Sequence, residues 1–123
     1  YKIFIEYDVD TTLIKPIYLN IAYLENILSC FIEQSCMDII KKELKKGKIQ
    51  KQIDVNVSVS KSNISLVVKN NGFEVKNIYN LYLSDVDNKA ILEAKNLANM
   101  LNAKFEIITL ENEGMQYSLN IKI

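Results

Sequence analysis

The segment Ala94-Lys95-Asn96-Leu97-Ala98-Asn99-Met100-Leu101-Asn102-Ala103-Lys104-Phe105-Glu106-Ile107 changes its apolar period in mid-course. Up to Leu101 the apolar residues Ile91, Ala94, Leu97, Ala98 and Leu101 fall three and four apart, which is the spacing of one helix face. Beyond Asn102, Phe105 and Ile107 alternate with polar neighbours, which is the spacing of a strand. Asn tolerates the left-handed backbone that ends many helices, so Asn102 reads as the joint between a helix over Ala90–Leu101 and a strand. Further on, Tyr117, Leu119, Ile121 and Ile123 alternate again. Glu111-Asn112-Glu113-Gly114 supplies turn chemistry, so the chain closes with a hairpin.

The upstream half has the same two periods in the opposite order. Lys2 to Tyr7 alternates and reads as a strand, followed by a polar connection from Asp8 to Lys15. Pro16 stands where helices begin. Ile17, Ile21, Leu24, Leu28, Phe31, Ser35 and Ile39 then keep helical spacing, which predicts a helix to about Lys46 with a basic last turn and Gly47 as its stop. The Lys run from Lys41 to Lys51 reads as a solvated helix end that complements the helix dipole. Ile53, Val55, Val57 and Val59 alternate with polar residues, Lys61-Ser62-Asn63 turns the chain, and Ile64, Leu66 and Val68 return, giving a second hairpin with one buried face. Asn70-Asn71-Gly72 breaks the sheet. Val75 to Leu83 predicts a short helix, and Asp85 to Asn88 is a polar break with a capping Asp.

Only one sheet face carries the apolar alternation. The expected fold is therefore a two-layer α/β sandwich: a mixed, mostly antiparallel sheet with two long helices and one short helix on one face. Residues 1–123 read as a single domain, and a chain of this length buries about two-thirds of its unfolded surface without disulfide or metal. The alternating start at Tyr1 has no Met and no signal-peptide pattern, so the chain reads as a fragment of a longer cytoplasmic protein.

Composition removes several functions. Fifteen Lys balance fifteen Asp and Glu, and there is no Arg, His or Trp. Without His the usual neutral-pH general base is missing, and two Cys cannot build a Cys/His zinc site. Zero net charge and no Arg argue against a nucleic-acid grip. No apolar run reaches the length of a membrane span, so no membrane contact by this segment is expected. Cys30 and Cys36, six apart on one helix, lie about 9 Å apart, too far for a disulfide. The wide use of Lys, Asn and Ile fits an AT-rich genome, but three Gly residues leave little material for phosphate-cradling loops.

The order of elements resembles the ATP-binding catalytic domain of sensor histidine kinases, a branch of the Bergerat-fold ATPases. Four stretches carry the resemblance, which spans nearly the whole chain. Phe4-Ile5-Glu6-Tyr7-Asp8-Val9-Asp10 looks like the opening strand, and Tyr18 to Leu28 like the entry to the first helix. Ala94 to Ile107 runs like the last helix, turn and strand. Gly114-Met115-Gln116-Tyr117-Ser118-Leu119-Asn120-Ile121 is similar to the final Gly-x-Gly-Thr-x-Phe strand.

The resemblance implies site residues that here have changed. The two helical Asn residues of the family, four apart, look like Cys30 and Gln34. Gln34 keeps an amide oxygen that the resemblance makes a weak Mg²⁺ ligand, since Mg²⁺ wants hard oxygens in tight octahedral geometry. The first glycine box, Asp-x-Gly-x-Gly, looks like Asn70-Asn71-Gly72-Phe73-Glu74: Asn70 replaces the adenine-binding Asp, Gly72 is kept and Glu74 replaces the second Gly. A carboxylate about 8 Å from a phosphate, at an effective dielectric of about 20, costs about 2 kcal/mol, a loss of about thirtyfold. The second glycine box looks like Asn88-Lys89-Ala90-Ile91, where Lys89 offers one point charge in place of backbone donors. The aromatic-Pro-aromatic segment looks like Tyr79-Asn80-Leu81-Tyr82, and the lid shrinks to residues 83–87. Tyr79, Tyr82 and Phe73 are expected to fill part of the former cavity.

The resemblance thus implies a two-component signalling domain with a vestigial nucleotide site at Gln34, Asn70, Gly72 and Lys89 and no catalytic residue of its own. ATP and Mg²⁺ are the implied cofactors, with binding weak or lost. The implied partner is an upstream dimerisation and phosphoacceptor region or another signalling protein, in a full-length homodimer. Two alternatives differ in class: an active ATP-binding domain that phosphorylates an upstream His, and an unrelated α/β binding module.

Overall fold

The computed structural model describes residues 4–10, 21–60, 62–75 and 89–122. The elements in chain order are β1 (Phe4–Asp10), α1 (Ile21–Lys46), β2 (Gln52–Val59), β3 (Asn63–Asn70), α2 (Lys89–Met100), β4 (Lys104–Leu110) and β5 (Gly114–Lys122). The five strands form one sheet in the order β1-β2-β3-β5-β4. β1 is parallel to β2, and every other pair is antiparallel. The sheet is therefore mixed and mostly antiparallel, as the alternation implies. The opening strand runs past the Tyr7 end that its alternation predicts and reaches the Asp10 end that the resemblance implies: Asp8, Val9 and Asp10 pair in register with Asn56, Val57 and Ser58. Cross-strand backbone pairing overrides the polarity of the two Asp residues. Residues 76–83 of the short helix expected over Val75–Leu83, and residues 16–20 at the expected start of the first helix, lie outside the described residues.

Register explains the core. Val55 pairs with Val68, Val68 with Tyr117 and Tyr117 with Ile107, which sets one row of four buried side chains across the sheet. The next row is Val57, Leu66, Leu119 and Phe105. The residues between these rows are polar or half-exposed, so one face is covered and the other meets water. α1 and α2 cover the apolar face and pack on each other. Phe31 of α1 is fully buried, with its ring centroid 5.9 Å from those of both Phe105 and Tyr117.

The helix ends follow local chemistry. Gly47 takes φ +83° and donates its N–H to the Glu43 carbonyl at 2.9 Å. After α2, Asn102 takes φ 52°, the Ala103 N–H reaches the Ala98 carbonyl at 2.9 Å, and the Asn102 N–H reaches the Asn99 carbonyl at 3.1 Å. This is a Schellman closure, built on the Asn that the sequence marks as the joint. Among the described residues, no helix is long and apolar enough to cross a membrane.

Phe31 ties α1 to two strands, so Phe31→Ala is expected to lower stability by about 3–5 kcal/mol. Urea denaturation checks this, and a loss below about 1 kcal/mol would show that the two rings do not hold the layers together.

Candidate functional site

The buried stripe of α1 runs Ile27, Cys30, Phe31, Gln34, Ser35, Asp38 and Ile39. Its first half is apolar and its second half is interrupted by three polar side chains. Opposite them stand Asn70, the last residue of β3, and Tyr117 of β5. Gln34 and Tyr117 are 0% exposed, Asp38 1% and Asn70 4%. Polar groups so enclosed must pair with one another. The Asn70 Nδ2 group donates to Ser35 Oγ at 3.0 Å and to Asp38 Oδ2 at 3.1 Å. The Tyr117 hydroxyl donates to the same Asp38 oxygen. Gln34 Nε2 donates to Asp38 Oδ1 at 3.3 Å. Gln34 Oε1 has no partner among the described residues.

The Asn70–Glu74 turn is clasped from three sides. Asn70 Oδ1 accepts the Gly72 N–H at 2.8 Å, and the Asp38 backbone carbonyl accepts the Phe73 N–H at 2.8 Å. A Cβ placed on Gly72 would lie 2.4 Å from the Asp38 carbonyl carbon and 2.6 Å from the Ile39 nitrogen, so only Gly lets the turn meet the α1 backbone. A Cβ on Gly114 would lie 1.9 Å from the Asn70 carbonyl oxygen. Asn71 fastens the outer side. Its Oδ1 accepts the Gln52 N–H at 2.9 Å, its Nδ2 donates to the Gln50 carbonyl, and its own carbonyl accepts from Lys42 Nζ at 3.0 Å. The Lys45 ammonium sits 4.4 Å from the centre of the Phe73 ring.

Burial pushes the Asp38 carboxyl up to about 6, against the pull of the hydrogen bonds from Tyr117, Gln34 and Asn70 and of the Lys41 charge. Burial also raises the Tyr117 hydroxyl, and the adjacent Asp38 carboxyl raises it further, so it stays a donor. Cys30 is pushed up to about 11 by burial and then by the charges of Glu93 and Glu33, so its thiol is not an activated nucleophile.

The structure brings Gln34, Asn70 and Gly72 together. Lys89 is exposed at the first residue of α2, and no hydrogen bond joins it to this network among the described residues. Cys30 packs in the hydrophobic core, so the helical pair that enters the network is Gln34 and Asp38, one step of four beyond Cys30 and Gln34. Phe73 is half-buried, while Tyr79, Tyr82 and residues 83–87 lie outside the described residues. Sequence reasoning missed Ser35, Asp38 and Tyr117 as polar partners. The signal was present in Asp38, four residues after Gln34 and in line with Phe31 and Ser35 on an otherwise apolar stripe. One shallow depression of about 180 Å³ borders Ser65 and Glu106, and another of about 110 Å³ borders Asp54, Lys69, Asn70 and Asn71, so it reaches the turn but is not lined by Gln34 or Asp38.

Folding carries Asp38 from the ordinary value of 3.8 to about 6. The folded protein thus holds a proton that the unfolded chain releases, and this part of the stability falls as pH rises from about 4 through 6. The fall is about 3 kcal/mol. Urea denaturation from pH 4 to 7.5 is expected to show this slope in the wild type and its loss in Asp38→Asn. An equal slope in both proteins would exclude Asp38 as its source.

No protein-family profile matches the sequence, and no curated protein matches it. Solved structures do. The histidine kinase AdeS of Acinetobacter baumannii superposes with a TM-score of 0.71 at 12% identity, over 98% of this chain and 54% of that one. The blue-light activated histidine kinase of Erythrobacter litoralis gives 0.69 at 10% identity, over 97% of this chain and 35% of that one. The catalytic domain of histidine kinase ThkA, in a nucleotide-free form, gives 0.73 at 11% identity, over 98% of this chain and 79% of that one. The chain spans about half of the first of these proteins and about a third of the second. At such identities the likeness speaks for architecture, and the architecture of this chain is that of histidine kinase catalytic domains.

Proposed function

We propose that this chain is a histidine-kinase-type ATP-binding domain whose nucleotide place has closed on itself, so that it binds ATP weakly or not at all and acts through protein contact. Its partner in this reading is a dimerisation and phosphoacceptor region of the same protein or another signalling protein.

One observation carries the reading: Asn70 and Gly72, two of the groups that the resemblance assigns to nucleotide, are committed to the chain itself. Asn70 has two amide hydrogens, and both are given, to Ser35 and to Asp38. Its Oδ1 takes the Gly72 N–H. Gly72 offers no open cradle, because the place its Cβ would occupy belongs to the α1 backbone. The residues present therefore do not fit a nucleotide in this arrangement.

The donor set fits Mg²⁺ equally poorly. Mg²⁺ demands near-octahedral oxygen and keeps several of its waters. Asp38 is enclosed and already accepts from Tyr117, Asn70 and Gln34. Among the described residues, no three Cys, His, Asp or Glu side chains converge as metal ligands. Phosphoryl transfer relies on positioning and on charge neutralisation by metal and backbone donors, and neither is supplied by this cluster.

Titration with a fluorescent ATP analogue, with and without Mg²⁺, tests the reading. The expected result is no saturable binding below about 1 mM, an affinity weaker than about 4 kcal/mol. Micromolar binding that depends on Mg²⁺ would overturn it in favour of an active ATP-binding domain.

A further inference from the structure

Segments distant in sequence converge on Asp38. Its backbone carbonyl accepts the Phe73 N–H at 2.8 Å, and its carboxylate accepts from Asn70 Nδ2 at 3.1 Å and from the Tyr117 hydroxyl. Asn70 in turn accepts the Gly72 N–H through Oδ1. Two successive N–H groups of the turn are thus satisfied by Asp38 itself and by a side chain that Asp38 holds. Hydrogen bonds to a carboxylate are shorter and stronger than neutral ones, so the fastening concentrates on this one group.

The closed arrangement leaves one acceptor unmade. Gln34 Oε1 is buried without a hydrogen-bond partner among the described residues, four residues from Asp38 on the same helix face. A buried unpaired acceptor disfavours the state that contains it. Lifting the 70–73 turn away from α1 would return the Asn70 amide to water and take one donor from Asp38. The segment combines strong local fastening with a neighbouring acceptor that has no partner among the described residues, two features of a two-state element.

We propose that Asp38 is the bolt of an autoinhibitory latch, in which its carboxylate, held by Tyr117, fastens the Asn70–Phe73 turn against α1 and keeps the site between them shut. This inference rests on the reading that the turn borders a former nucleotide place, and it adds what holds that place closed and how it opens. The groups around the bolt on every packed element are consistent with a local device. α1 brings Gln34, Ser35 and the charge of Lys41, β3 brings Asn70, and β5 brings Tyr117, while the buried face of α2 is Ala90, Ile91, Ala94 and Ala98.

Hydrogen–deuterium exchange of the intact protein tests the latch. In Tyr117→Phe, which keeps the ring against Phe31, and in Asp38→Asn, the Gly72 and Phe73 amides are expected to exchange at least about tenfold faster than in the wild type, the effect of weakening one such bond. The amides of Leu66 and Leu119 at the sheet centre are expected to follow only the change in global stability. The control Ile64→Val, at the far end of β3, is expected to leave the turn unchanged. Equal changes at the turn and at the sheet centre would overturn the latch.

If neither latch variant folds, exchange of the wild type against urea decides. A common, shallow urea dependence at Gly72 and Phe73 supports local opening, whereas exchange only with the full dependence of global unfolding overturns it. The nucleotide titration stays separate. ATP binding by Tyr117→Phe but not by the wild type would remove the reading of a lost site and leave the latch standing, whereas ATP binding by the wild type would overturn both. A turn that never opens locally removes the latch whatever the nucleotide does.

Discussion

A carboxyl group inside a protein is a constraint on everything around it, and here that group belongs to Asp38. Moving such a group out of water is unfavourable by several kcal/mol unless donors replace the lost hydration. The replacements come from three places: Gln34 on the same helix, Asn70 at the end of β3 and Tyr117 in β5. None can move far without stranding the carboxyl. The helix layer and the sheet layer are therefore joined by directional bonds at one end of the sandwich and by apolar contact, through Phe31, Phe105 and Tyr117, in the middle. Tyr117 belongs to both systems, with its ring in the core and its hydroxyl in the polar cluster.

Two of the three glycines serve this same end of the molecule from opposite directions. Gly72 lies against the α1 backbone at Asp38 and Ile39, and Gly114 lies against the Asn70 carbonyl. A methyl group at either place would push the turn away from its supports. Glycine is scarce in this chain, and what remains of it lets backbone meet backbone here. Closing on its own chain and cradling a phosphate need the same residue type, because both require backbone to approach without a Cβ between. The count of Gly alone cannot separate the two uses.

Much of the architecture was legible in the order of the residues. Periods of 3.6 and 2 marked both helices, both hairpins and the buried face of the sheet, because burial on one side of a regular element imposes those periods directly. Asn102 was legible as the helix stop because the left-handed backbone is a local property. Alternation alone ends the opening strand at Tyr7, whereas the resemblance carries it to Asp10, where it ends. There Asp8 and Asp10 have a polar look, and their strand state comes from pairing with β2, more than forty residues away. Of the polar cluster and its turn, Asn70, Gly72 and Gln34 stand out in the sequence and Asp38 does not, while Lys89, marked with them, lies outside the cluster. An apolar pattern gives a polar residue no credit for a buried position, and Asp38 earns its place only through partners on other elements.

What the sequence determined by itself is the set of elements, the face of each that turns inward, and a stock of side chains without His or Arg and with only three Gly. These depend on residue type and on spacing along the chain. The tertiary structure alone decided which polar groups meet. Asn70 and Asp38 are 32 residues apart, and Tyr117 and Asp38 are 79 apart. Their contact is set by the order of strands in the sheet and by the rotation of α1 about its own axis. A hydrogen bond needs its partners within a few tenths of an ångström, and no spacing rule along a chain carries that precision across such distances.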